Sequence, residues 1–126
     1  MRFSGKSFLF FSFVFAAALL FAQAVTAVEP GPVTPEEGTA MIKQMGDRLV
    51  ILDVRNPNEY AAAHYPGAIL IPVNELEARA SEVPADKPVL VHCAKGVRAQ
   101  RAYDMLKTKR PDIKELYYIK GVAAYN

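Results

Sequence analysis

Val89-Leu90-Val91-His92-Cys93-Ala94-Lys95-Gly96-Val97-Arg98 leads straight into Ala99-Gln100-Arg101-Ala102-Tyr103-Asp104-Met105-Leu106. The opening apolar run is what a strand buried on both faces requires, and the second half has helical spacing, with Ala102, Met105 and Leu106 on one side. A strand, a turn and a helix are therefore joined at the chain's single cysteine. Backbone N–H groups of such a turn converge on one point and favour negative charge there. The thiolate is the reactive form of cysteine, so Cys93, flanked by Lys95 and Arg98, is the candidate nucleophile. Free cysteine is also a common core residue. Gly96, the two cations and the helix start set this one apart, because Gly permits a close backbone approach or a positive φ.

Outside this stretch, the first 24 residues form a separate unit. Arg2 and Lys6 precede an apolar run from Phe8 to Phe21, and Ala22-Gln23-Ala24 offers a small-residue cleavage site. This is the pattern of a signal peptide, cleaved after Ala24 or Ala27, and the expectation is an exported, periplasmic protein without a membrane anchor once cleaved. Residues 25–33 are expected to be a linker, with Pro30, Gly31 and Pro32 as breakers, and 34–126 one α/β domain. Arg2 and Lys6 are the only charges in the leader, so the remainder carries 13 basic and 13 acidic residues. A neutral domain of that size argues against nucleic acid as a partner. His64, His92 and Cys93 have no metal-ligand spacing, and no motif calls for a cofactor.

Along the domain, Thr34-Pro35-Glu36-Glu37 gives a capping box and predicts a helix through Met45, ended by Gly46. Leu49 to Leu52 reads as a buried strand that delivers Asp53 and Arg55 to its carboxyl end, where open α/β sheets place their ligands. Asn56-Pro57-Asn58-Glu59 starts a short helix through Ala63. Ile69 to Ile71 is a further strand, Glu75 to Arg79 one or two helical turns, Ala99 to about Lys109 the helix after the cysteine, and Leu116 to Ile119 the last strand. His64 lies in a turn beside an aromatic and is read as structural. Helices alternating with short apolar strands predict a mostly parallel sheet.

Leu52-Asp53-Val54-Arg55, Glu59-Tyr60, His64-Tyr65-Pro66-Gly67-Ala68, Cys93-Ala94-Lys95-Gly96-Val97-Arg98 and Gly121 occur in that order. Together they resemble a single-domain rhodanese over nearly the whole domain, from about Pro32 to Tyr125. The resemblance implies a three-layer α/β fold, with a five-stranded sheet flanked by helices, and sulfurtransferase chemistry. Cys93 would take sulfane sulfur from a small anionic donor such as thiosulfate, hold it as a persulfide, and pass it to cyanide or a thiol, including one on a partner protein. The loop Ala94, Lys95, Gly96, Val97 and Arg98 would bind the donor and the persulfide. Asp53 and Arg55 would support it, with Arg55 a candidate donor contact. Two departures stand out: the sequence runs only five residues past Gly121, where the family has a closing helix, and Ala99 replaces a small hydroxyl residue.

Two alternatives belong to other classes. His92-Cys93 followed by an arginine also resembles cysteine phosphatases and arsenate reductases, but those place five residues between Cys and Arg, and here there are four. A smaller ring of amides suits one terminal sulfur atom better than a tetrahedral oxyanion. A non-catalytic sulfur-binding or regulatory module is the other; inactive members of the family usually lack the cysteine that is present here.

Overall fold

The computed structural model describes residues 28–125; the apolar leader read as a signal peptide lies outside them. The elements in order are β1 (Gly31–Val33), α1 (Pro35–Met45), β2 (Val50–Asp53), α2 (Pro57–Ala62), β3 (Ile69–Leu70), α3 (Val73–Arg79), β4 (Val89–His92), α4 (Val97–Lys109) and β5 (Leu116–Ile119), with 3-10 turns at Gly46–Arg48 and Ala80–Glu82. The five strands form one sheet in the order β1-β5-β4-β2-β3. Every neighbouring pair is parallel.

The predicted caps form as the sequence requires. Thr34 Oγ1 accepts from the Glu37 N–H at 3.1 Å, and the Glu37 carboxylate accepts from the Thr34 N–H at 2.8 Å. Asn56 and Glu59 close an equivalent box on α2. One expectation is corrected: Gly31 to Val33, assigned to the linker, are strand β1, paired with Tyr117 to Ile119. Pro32 misleads because a proline breaks a central strand but is tolerated on an edge, where its missing donor removes no needed ladder bond. The helix after the cysteine also begins at Val97, two residues earlier than expected.

Strand alternation divides the core into two layers around the sheet. Val50, Leu52, Val89, Val91, Leu116 and Tyr118 pack towards α3 and α4 with Leu76, Ala99, Ala102 and Leu106. Leu49, Ile51, Leu90, Tyr117 and Ile119 pack on the other side with Val33, Met41 and Tyr65. Cys93 belongs to the first layer and the adjacent His92 ring meets Tyr65 of the second, so the two neighbours point to opposite faces as strand geometry requires. Gly38 lets α1 ride close on β5: a Cβ there would lie 2.7 Å from two side-chain carbons of Ile119.

Leu52 is fully buried at the centre of this arrangement. Leu52→Ala is expected to lower stability by about 2–5 kcal/mol, through lost burial and the cavity left behind, measurable as a fall in the urea midpoint with an unchanged slope.

Candidate active site

The carboxyl ends of β2 and β4 lie side by side, with Asp53 in register with His92. Ligand crevices of parallel sheets open at this end. Cys93 follows at once, and its loop returns through Gly96 into α4. Cys93 is 1% exposed, and its sulfur accepts from the N–H of Gly96 at 3.1 Å and of Ala99 at 3.2 Å. Both donors come from the first turn around the start of a 13-residue helix, where backbone N–H groups lack partners within the helix. These amides and the positive end of the helix stabilise negative charge on sulfur.

Gly96 makes the geometry attainable. Its φ is +98°, and a Cβ would stand 2.6 Å from the Gly121 nitrogen. A side chain would therefore be strained twice, by conformation and by contact with backbone that has no flexible end to move. Lys95 and Val97 face solvent, with Val97 78% exposed, and Ala94 is half-buried. Of the expected loop amides, Gly96 donates to the sulfur. Ala99, singled out in sequence only for the hydroxyl it lacks, contributes the second donor through its backbone.

Arg98 is not free above the loop. Its two terminal nitrogens donate to the two oxygens of Glu59 at 2.7 and 3.0 Å. The guanidinium holds the Glu59 carboxyl down at about 2, and Arg98 is raised in turn by the same bond. Glu59 thus closes the α2 capping box and anchors the loop arginine 39 residues away. Only the first role can be seen in local spacing.

Beneath the loop, Asp53 is fully buried and Arg55 is 4% exposed. Arg55 Nε donates to both carboxylate oxygens, at 2.9 and 3.1 Å, and Nη2 donates to Asp53 Oδ2 and to the Ala63 carbonyl, each at 2.7 Å. The hydrogen bond to Asp53 is the main cause of the raised Arg55 value. The Arg55 guanidinium carbon also lies 4.1 Å from the centre of the Tyr125 ring. The Arg55 head is thus engaged with Asp53, Ala63 and Tyr125 and nearly out of solvent.

Three residues of this layer were not picked out as site residues from sequence. His92 is fully buried, and burial pushes its imidazole down to about 4, so it is neutral and its 3.8 Å approach to Asp53 is not an ion pair. Tyr65 meets the His92 ring edge-on at 4.9 Å. Tyr125 lies 5.0 Å from Tyr65, and its hydroxyl is 3.3 Å from both His92 Nδ1 and the Cys93 carbonyl. Tyr65 and Tyr125 are too far from Cys93 in sequence to leave a local pattern, and His92, though adjacent, reads locally as a buried strand residue. His64 stacks on Tyr60 at 3.7 Å and bonds the Tyr60 carbonyl through Nδ1, the structural role expected of it.

The rhodanese-like domain family matches residues 34–125, and the chain belongs to this family. Among its relatives, it is 39% identical over 71 residues to the Bacillus subtilis protein YqhL, covering 56% of this chain and 55% of that one. It is 33% identical over 54 residues to a protein of Allochromatium vinosum named sulfurtransferase, covering 43% and 50%. The chain thus spans about half the length of these relatives. A Saccharomyces cerevisiae single-domain sulfurtransferase matches its fold with a TM-score of 0.57 at 25% identity, covering 77% of this chain and 88% of that one. The expected α/β fold, five parallel strands between helical layers, is the fold observed.

Two measurements test this geometry. Gly96→Ala is expected to cost about 1–3 kcal/mol or more in thermal unfolding and to slow Cys93 alkylation. His92 makes the second. The unfolded histidine takes a proton near its ordinary 6.5 and the folded one only near 4. Stability is therefore complete above about pH 6.5 and falls as pH drops towards 4, by roughly 3 kcal/mol. Urea titrations across that range should show the slope, and His92→Gln should flatten it.

Proposed function

We propose that this protein is a sulfurtransferase working through a Cys93 persulfide, with thiosulfate or a related small anionic species as donor and cyanide or a thiol as acceptor. The carrying observation is the pair of backbone N–H groups on the Cys93 sulfur at the start of α4. Family membership and a relative named sulfurtransferase support the same chemistry. The Cys93 thiolate attacks the outer sulfur of thiosulfate. The S–S bond of the donor breaks with its electron pair, sulfite leaves, and a new S–S bond holds the transferred atom on Cys93 as an anionic persulfide. An acceptor nucleophile then attacks that outer sulfur. The persulfide bond breaks, the Cys93 thiolate returns, and cyanide becomes thiocyanate or a thiol becomes a persulfide. No external oxidant or reductant enters, and ping-pong kinetics follow from the covalent intermediate.

The loop amides stabilise the anionic sulfur, and Lys95, exposed on the loop, and Arg98 draw the donor. Asp53 and Arg55 hold the loop from below. The sulfur is deeply recessed, so an acceptor must be small or present its thiol on a slender side chain. The leader from Arg2 to Ala24 supports action outside the cytoplasm, in the periplasm. Among the described residues no helix is long and apolar enough to cross a membrane.

Intact mass of the exported protein, before and after thiosulfate, tests both parts. A chain starting after Ala24 or Ala27 is expected, with a gain of roughly 32 Da that is absent in Cys93→Ser. No gain on the native protein would sink the persulfide. Arg98→Ala should raise KM for thiosulfate about tenfold, equivalent to about 1.4 kcal/mol, with a smaller effect on kcat; equal small losses in both would contradict its role in donor binding.

A further inference from the structure

Residues Gly121 to Tyr125 follow β5 and run antiparallel alongside the cysteine loop. The Gly121 nitrogen packs on Gly96, the Ala123 N–H donates to the Ala94 carbonyl at 3.3 Å, and the Tyr125 hydroxyl donates to the Cys93 carbonyl at 3.3 Å. As the tail advances from 121 to 125, the loop partner steps back from 96 to 93. The segment therefore engages the loop at three successive points, two of them carbonyls. With its proton given to Cys93, the Tyr125 oxygen is placed to accept from His92 Nδ1, also at 3.3 Å.

We propose that Tyr125 is a positioning residue for the sulfur chemistry: by bonding the Cys93 carbonyl while Ala123 bonds that of Ala94, it keeps both oxygens turned away from Cys93 so that amides alone face the charged sulfur. This deepens the sulfurtransferase reading and rests on it. A peptide group presents either its N–H or its C=O to a given side, and a carbonyl turned towards an anionic sulfur would repel it. The ring secures the hydroxyl: Arg55 lies over its face at 4.1 Å and Tyr65 packs at 5.0 Å. Burial raises the Tyr125 phenol to about 12, so it keeps its proton at any working pH. Tyr125 touches no reacting atom and acts through the loop.

The test uses the full chain and Tyr125→Phe, which retains the ring on Arg55 and removes only the hydroxyl. Asp53, Arg55, Glu59, Tyr65, His92, Lys95 and Arg98, the charged and titratable groups around the loop, are unchanged in it. The readouts are the rate of Cys93 alkylation by iodoacetamide against pH, and the lifetime of the thiosulfate-loaded form by intact mass. Y125F should displace the alkylation profile to higher pH, react about threefold more slowly at pH 7, and lose its added sulfur faster, with little change in the thermal midpoint. Ala123→Pro, which deletes the other donor, should move both readouts in the same direction. Wild-type profiles and lifetimes in Y125F would overturn the proposal, as would a fall in thermal midpoint with no displacement of the profile. The alkylation arm needs no sulfur transfer. Should the native protein take up no sulfur, the sulfurtransferase reading falls while the role of Tyr125 is still decided by alkylation.

Discussion

Two backbone N–H groups meet one buried sulfur, and the rest of the fold is arranged so that they can. The Gly96 and Ala99 amides sit 3.1 and 3.2 Å from Cys93 only because the chain turns from strand to helix within a few residues. That turn requires a positive φ at Gly96 and leaves no room there for a Cβ against the backbone of Gly121. Both ends of it are tied to the core: β4 is buried along its length, and Ala99, Ala102 and Leu106 fix α4 against the same layer. The amides cannot relax away from the sulfur without uncovering apolar surface, so their dipoles are oriented before any substrate arrives.

A negative sulfur above a buried carboxylate would be a poor design if that carboxylate were bare. Asp53 is neutralised in place by Arg55, whose remaining contacts are a carbonyl and the face of Tyr125. A buried pair of this kind adds little net stability, but losing one partner leaves the other uncompensated and costs about 3–5 kcal/mol. His92, next to the pair, stays neutral because burial outweighs the pull of Asp53. The floor of the loop therefore carries no net charge. With Arg98 paired to Glu59, the local field at the sulfur is set chiefly by the amides and the helix.

The scaffold was legible in the sequence because each element has a local cause. Thr34 and Asn56 with their prolines and acids announce helix starts, the runs at Val50 and Val89 announce buried strands, and Gly96 before an amphipathic stretch announces the loop. Pro32 misleads because an edge strand and a linker have the same short-range signature, and only pairing with β5 distinguishes them. Within the site, Cys93, Asp53 and Arg55 could be found because strand ends place them. Glu59, Tyr65 and Tyr125 could not, since their contacts span tens of residues and each has an adequate local explanation as a capping or core residue. Ala99 was invisible for a different reason: it contributes through its backbone, and side-chain chemistry says nothing of where an N–H points.

The Arg98 and Glu59 pair bears on turnover in the proposed transfer. A bare guanidinium at the loop would bind thiosulfate well, but it would hold departing sulfite with similar strength, and equal binding of both ground states does not accelerate the step between them. Sharing the charge with Glu59 weakens the grip on both anions, while the short bonds of 2.7 and 3.0 Å keep the guanidinium in one orientation. The charge of the thiolate before transfer lies on the Cys93 sulfur, where the amides are aimed. In the proposed transfer, donor attraction would thus be moderate at the mouth of the loop, with charge stabilisation concentrated at the Cys93 sulfur.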